Sequence, residues 1–359
     1  MSIRLSGFAL ALLAGTAGAA DTNAQAVALN KKLLNLDAHS DVLIDSTPER
    51  YWGPGHSSRT DLAKLRAGSV DAVAFAIAVG PGPRTPEGVA EARKEADLKL
   101  AIIRDFVKQS GGRAEIALTA ADIQRLHKQG KIAVIETFLN ARSLGHDVNG
   151  IDEFYKAGVR VFGLTHAGNN DFADSSRPQN GEGEEHHGLS PLGKEAVTRL
   201  NTLGAIVDVS QLTPAGVFQV LSLTKAPVIA THSDVRALVD NTRNLSDEEL
   251  DAIKKNGGVV SAVPFNPYLA KVPPATLEDY VNHIDYLVKR IGIDHVGIGT
   301  DFNHGSGIPG FDDESEAANV TAELLKRGYT EGQIAKIWGG NFLRVFRQVE
   351  AVGKKLRGT

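Results

Sequence analysis

The sequence predicts an α/β fold of the (β/α)8 barrel (TIM-barrel) type, and three observations predict it. Eight short runs rich in Val, Ile and Ala recur along the chain. Amphipathic, helix-like stretches separate them. Six of the eight runs end in a polar residue, and a barrel gathers its strand ends onto one face. A length of 359 residues suits one such barrel. The alternative is an open doubly wound sheet, which would usually carry a phosphate-binding glycine loop after an early strand. The nearest approach to one, GLSPLGKE at 188–195, has Glu195 where Ser or Thr belongs and follows a polar loop.

The runs, in order, are 33–41, 70–79, 131–137, 159–166, 205–211, 226–233, 257–265 and 294–301. Near-continuous apolar character in each is what strands buried on both faces require. Between them, 96–110 and 191–204 carry apolar residues at three- and four-residue spacing. The stretch 246–258 opens with a Ser246-x-x-Glu249 capping box and ends in glycine.

The first 20 residues are a separate unit. MSIRLSGFALALLAGTAGAA has an early Arg4, an apolar run from Gly7 to Gly15 and a small-residue end. That run is too short to span a bilayer, so a secretory signal peptide cleaved near Ala19/Ala20 is expected. Residues 21–359 are then one catalytic domain. The expected destination is secretion or a bacterial periplasm, without a stable membrane anchor.

A hydrophobic fraction of 42% supports a large core, and a net charge of −4 with interspersed signs argues against nucleic-acid partners. With no cysteine, disulfides, thiolate metal sites and a cysteine nucleophile are all excluded.

At the ends of the runs stand His39 and Asp41, Glu136, His166, Gln211, His232 and Asp301. Any one has an ordinary reading as a hydrogen-bonded strand end or a helix cap. Together at one barrel mouth they suit a divalent metal held by imidazole and carboxylate, as in catalytic zinc sites. In Asp37-Ala38-His39-Ser40-Asp41, i and i+2 share a strand face, so His39 and Asp41 can reach one ion. Glu136 could be shared between two ions, His232 could bind the second, and Asp301 could move a proton. His56, His127, His146, His283 and His295 read as structural, whereas His186, His187 and His304 lie near the expected rim as minor contacts.

These stretches resemble the membrane dipeptidase (renal dipeptidase) family of zinc peptidases over about residues 33–350. The matching segments are LDAHSD, AVIETF, the Gly-Leu-Thr-His of FGLTHAGNN, GLSPLGKEAVTRLNTLGAIVDVS, PVIATHS, the Thr-Arg-Asn-Leu of NTRNLSDEEL, HVGIGTDFN and IWGGNFLRVF. The resemblance implies a (β/α)8 barrel with two zinc ions that cleaves dipeptides, including those with a C-terminal D-residue, through a metal-bound hydroxide. It implies His39 and Asp41 as ligands of the first zinc, Glu136 as the bridging carboxylate and His232 as a ligand of the second. It implies His166 as a substrate contact that stabilises the tetrahedral intermediate and Asp301 as the catalytic acid/base. Arg243 is implied to bind the substrate's terminal carboxylate, a role suited to a planar guanidinium, and Asp37 to support the ligands. A homodimer is also implied.

The chain departs from the family at Gln211, where a histidine ligand of the second zinc is usual. An amide oxygen is a weaker, harder ligand than imidazole. Three outcomes stand open: Gln211 ligates through Oε1, the second site is empty and one zinc remains, or the site serves another reaction. That last outcome covers hydrolysis of another amide, an ester or a lactone, and tailoring of an exported peptide metabolite. Lesser departures are Asn303-His304 after the eighth run and Asp234-Val235 after the sixth. The polar stretch 167–188 reads as a rim loop or a surface loop.

Overall fold

A computed structural model of the protein describes residues 22–179 and 181–359. The expected signal peptide lies outside the described residues. A first helix, α1 (residues 22–30), precedes the barrel. The order is then β1 (Leu36–Asp41), α2 (Leu62–Gly68), β2 (Ala72–Ala78), α3 (Pro86–Gln109), β3 (Ala114–Ile116), α4 (Ala120–Lys128), β4 (Ile132–Leu139), α5 (Gly150–Ala157) and β5 (Val161–Gly163). There follow α6 (Pro191–Leu203), β6 (Ile206–Asp208), α7 (Pro214–Leu223), β7 (Ile229–Ala230), α8 (Asp247–Asn256), β8 (Val259–Ala262), α9 (Asn266–Leu269) and α10 (Leu277–Ile291). The chain ends with β9 (Val296–Ile298), α11 (Ala317–Lys326), α12 (Glu331–Ala335) and α13 (Asn341–Arg357).

Eight parallel strands run in the order β1-β2-β4-β5-β6-β7-β8-β9. The end of β1 meets the segment after β9: Asp301 N–H donates to His39 O at 2.7 Å, and Asp41 N–H donates to Phe302 O at 2.9 Å. This closes the predicted (β/α)8 barrel, and all eight apolar runs supply its strands. The short β3 was not expected. It pairs with the start of β4, while β5 pairs with that strand's end.

Local chemistry sets the helix ends. Ser246 and Glu249 form the reciprocal capping box at the start of α8, and the left-handed Gly257 ends it. Ser190 caps α6 with a proline in its first turn, and left-handed Gly204 stops it.

Strand alternation divides the core. Leu36, Ala38, Ala72, Ala74, Ala133 and Ile135 belong to an inner cluster. Val73, Phe75, Val134 and Phe138 belong to the cluster between the barrel and its helices. That two-residue period decides which side chains reach the mouth. Among the described residues no helix is long and apolar enough to cross a membrane.

Candidate active site

The first site strand does not alternate evenly. Asp37 pairs with Val73, but Ser40 pairs with Phe75, so β1 carries a bulge between them. After the bulge Ser40 faces the helices with Phe75, and Asp41 faces inward with Ala76. The bulge thereby aims both His39 and Asp41 into the mouth, a recurrent use of this irregularity near active sites. His39 Nε2 lies 3.6 Å from Asp41 Oδ1 and 3.7 Å from Asp301 Oδ1. Both His39 Nε2 and Asp41 Oδ1 are buried without a hydrogen-bond partner. One atom each from His39, Asp41 and Asp301 lie within 4.8 Å of one another, a spacing that fits a single cation. Desolvated polar atoms left unpaired are costly, and a divalent ion would satisfy both of these with Asp301 as its third contact.

The carboxylates differ. Burial raises the Asp41 carboxyl, but the His304 and His39 imidazoles outweigh it and hold Asp41 well below the usual range. Burial also raises Asp301, and there it prevails. Asp301 sits at φ +51, in the left-handed region. A non-glycine residue held there between β9 and the β1 carbonyl is locally strained. Asp37 supports from behind: its Oδ1 accepts from His39 N–H and Thr300 N–H, and its Oδ2 accepts from Thr300 Oγ1. Burial pushes its carboxyl up to about 6.

His166 is buried at the mouth with Nδ1 unpaired. Burial, reinforced by His304, drives its pKa well below the ordinary value, so the ring is neutral. Arg243 is also buried. It donates to His232 O at 2.8 Å and Ser233 Oγ at 3.2 Å, and its Nε has no partner. Its guanidinium lies 5.5 Å from the Tyr268 ring centroid.

Glu136 does not join this group, and its expected bridging role is corrected. It pairs in register with Phe75 and so faces the helices, as do Val134 and Phe138 on its own strand. Its Oε1 is 3.5 Å from Arg104 Nε on α3. Its Oε2 would be 2.4 Å from a Cβ at residue 158, so the corner after α5 requires glycine there. A strand's two-residue period excludes Glu136 from the face that carries Ile135 and Thr137. The inward residue at the end of β4 is Leu139, clustered with Ala76 and Ala78.

His232 is buried at the end of β7, and its ring stacks on His39 with centroids 3.8 Å apart. Gln211, at φ +69, places its Nε2 3.1 Å from His232 Nε2 and leaves Oε1 buried without a partner. Its backbone carbonyl accepts from Ser176 N–H and Thr165 Oγ1, which ties it to the 167–188 segment. That segment is itself anchored: buried Asp174 accepts from the backbone N–H groups of Glu185, His186 and Gly188.

Sequence reasoning gave His304 only a minor contact, yet its Nδ1 lies 2.8 Å from Asp41 Oδ2. Its ring stacks on Tyr51 at 4.7 Å and meets His166 edge-on at 5.0 Å. The signal was its place three residues beyond Asp301. By contrast His186 turns to the Asn170 carbonyl, and His187 is exposed. A cavity of about 260 Å³ opens beside the group, lined among others by Asp41, Tyr51, Glu95, Lys99, His166 and His304. Lys99 is buried, donates to the Ala78 carbonyl and pairs with Glu95 at 3.0 Å. No sequence motif had marked Lys99 or Tyr51.

The sequence and the fold match known proteins. A family model described as membrane dipeptidase (peptidase family M19) matches residues 23–359. The dipeptidase tcpJ of Claviceps purpurea is 34% identical over 310 residues, covering 84% of this chain and 72% of its own length. The dipeptidase verJ of Clonostachys rogersoniana is 33% identical over 312 residues, covering 84% and 79% respectively. Among solved structures, the probable dipeptidase PvdM from Pseudomonas aeruginosa superposes with a TM-score of 0.87 at 37% identity, over 92% of this chain and 99% of that one.

Proposed function

The chain belongs to the membrane dipeptidase family, peptidase family M19, and is a metal-dependent dipeptidase; on that premise we propose that it is an exported zinc enzyme acting through His39, Asp41, Asp301, His166 and Arg243. The observation that carries the site is the convergence of His39 Nε2, Asp41 Oδ1 and Asp301 on one point, two of those atoms buried and unpaired. Nitrogen and carboxylate oxygen without sulfur suit zinc in a hydrolytic role.

When bound, the cation supplies Lewis-acid polarisation of the scissile carbonyl and favours ionisation of water. The protein's own groups do the rest. Asp301 would accept the proton of the attacking water through the carboxylate oxygen turned away from the cation and return it to the leaving amine. Neutral His166 keeps one ring N–H to donate to the oxygen that gains charge. The unpaired Nε–H of Arg243 offers a charge-assisted hydrogen bond to the substrate's terminal carboxylate. The adjoining cavity of about 260 Å³ gives a small substrate room beside these groups.

Export rests on the charge, apolar run and small-residue end of residues 1–20, with residues 21–359 as the mature catalytic domain. The test of function is hydrolysis of an L,L and L,D dipeptide panel by the mature protein, with zinc supplied and then chelated. Zinc-dependent release of free amino acids is expected. A folded, zinc-loaded protein that cleaves none of the panel overturns the proposal. Mass spectrometry of the periplasmic protein tests the cleavage site near Ala19/Ala20.

A further inference from the structure

The resemblance to the family implies two ions, and the mouth contains ligands for only one. Around His232, among the described residues, the Asp208 carboxylate is engaged and the one unpartnered donor is the neutral Gln211 Oε1. Asp208 belongs to a second group of suitable spacing with His39 and His232. Its Oδ1, however, accepts from Ser210 N–H at 2.9 Å and Thr231 N–H at 3.1 Å, and its Oδ2 accepts from Thr231 Oγ1 at 2.6 Å. Thr231 gives its one proton to that carboxylate, so its Oγ1 accepts from His232 Nδ1 at 2.8 Å. His232 Nε2 is then a bare lone pair, and the Gln211 amide donates to it at 3.1 Å. The proton directions of the whole run follow from one carboxylate.

The stack of His39 on His232, at 3.8 Å between centroids, leaves no gap for an ion between the two rings. Turning the Gln211 amide over would offer Oε1 beside His232 Nε2. That makes two neutral donors and no carboxylate, a poor set for a dication. The carboxylate that could have bridged is absent from this face, because Glu136 points to Arg104. The inward residue of β4 is Leu139, whose Cδ1 would crowd a Cβ at Gly163, which in turn would lie 3.5 Å from Asp208 Oδ2.

We infer that this chain holds a single catalytic ion, at His39, Asp41 and Asp301, and that the hydrogen-bonded run Gln211–His232–Thr231–Asp208, closed off by Leu139, replaces the second metal position. The inference rests on the proposed metal site and adds its stoichiometry. Chemistry that two ions would share therefore falls to one ion and the side chains around it.

The test is elemental analysis and calorimetric zinc titration of the mature protein after removal of loose metal, with X-ray absorption of the zinc-loaded form. One tightly bound ion per chain, with a single imidazole in an otherwise oxygen-rich shell, is expected. Gln211→His alone should stay at one ion, because no carboxylate joins it. Gln211→His with Leu139→Glu should rise to two. Two tight ions in the wild type overturn the inference. A folded double variant that stays at one ion overturns the ligand-set argument behind it. Zero ions in the wild type instead overturns the proposed metal site at His39, Asp41 and Asp301. Asp41→Asn should lose the single ion. If it keeps the ion while Gln211→Ala loses it, the ion sits on the wrong side and the inference fails. Should the double variant not fold, the wild-type count still decides.

Discussion

His304 Nδ1 lies 2.8 Å from Asp41 Oδ2, and Asp41 Oδ1 is left buried and unpaired. The imidazole holds one carboxylate oxygen and so fixes the direction of the other. Tyr51 backs the His304 ring by stacking on it at 4.7 Å. This is the arrangement by which a neighbouring hydrogen bond orients a ligand, and its loss typically costs 10–100-fold in metal affinity or activity.

His304→Ala should therefore weaken zinc binding by about 10–100-fold while the fold is kept, since the side chain is partly exposed and outside the core. Competition against a chelator of known affinity measures it. An unchanged zinc affinity would show that Asp41 needs no such clamp. Tyr51→Leu should give a smaller effect of the same sign, because it removes the support and leaves the clamp.

Glu136→Gln should leave activity within about twofold of wild type and change neither metal content nor zinc affinity. Its carboxylate lies on the helix side of β4, 3.5 Å from half-exposed Arg104. Burial pushes the Glu136 carboxyl up against the pull of Arg104, so a neutral amide of the same shape should not destabilise the fold. Steady-state kinetics and elemental analysis check both points. A folded variant that loses zinc would put Glu136 back among the ligands.

The barrel was legible because strands buried on both faces leave apolar runs, and all eight runs became barrel strands. β3 was missed because three residues, Ala114–Ile116, carry no period. The site was legible where the residue ends a strand: His39, Asp41, His166, His232 and Asp301 all reach the mouth. The sequence misled at Glu136, where the apolar run Ile132–Leu139 hides which residues face in. Only pairing with β2 settles that, and pairing is a non-local fact. His304 was underrated because its importance comes from a bond to Asp41, more than 250 residues earlier.

Arg243→Lys should raise KM for free dipeptides by about 10–100-fold, the equivalent of one charge-assisted hydrogen bond, with a smaller change in kcat. The lysine keeps the charge and loses the planar N–H directed away from His232 O and Ser233 Oγ. The same substrates with an amidated C-terminus separate recognition from damage to the site. For these, wild type and variant should have similar KM values. Equal penalties on acid and amide would mean that Arg243 acts only by holding the β7 end.

His283 gives a pH dependence that is independent of any metal. It is buried on α10, where its Nδ1 accepts from Val235 N–H at 3.1 Å and its Nε2 lies 3.3 Å from the Leu269 carbonyl. It thus ties the segment after β7 to α9, which carries Tyr268 beneath Arg243. Burial lowers its pKa from 6.5 to about 4, against a smaller raising by the Leu269 carbonyl and Asp279. The folded state therefore keeps the ring neutral where the unfolded chain would protonate it. Stability from this residue is complete above pH 6.5 and is lost as pH falls towards about 4. At 1.36 kcal/mol per pH unit this linkage amounts to about 3 kcal/mol. His283→Gln has no proton to bind in that window, so its stability should fall less steeply with acid than that of the wild type. Denaturant midpoints taken from pH 7 to pH 4 measure the difference directly, and parallel curves for the two proteins would show that His283 titrates alike folded and unfolded.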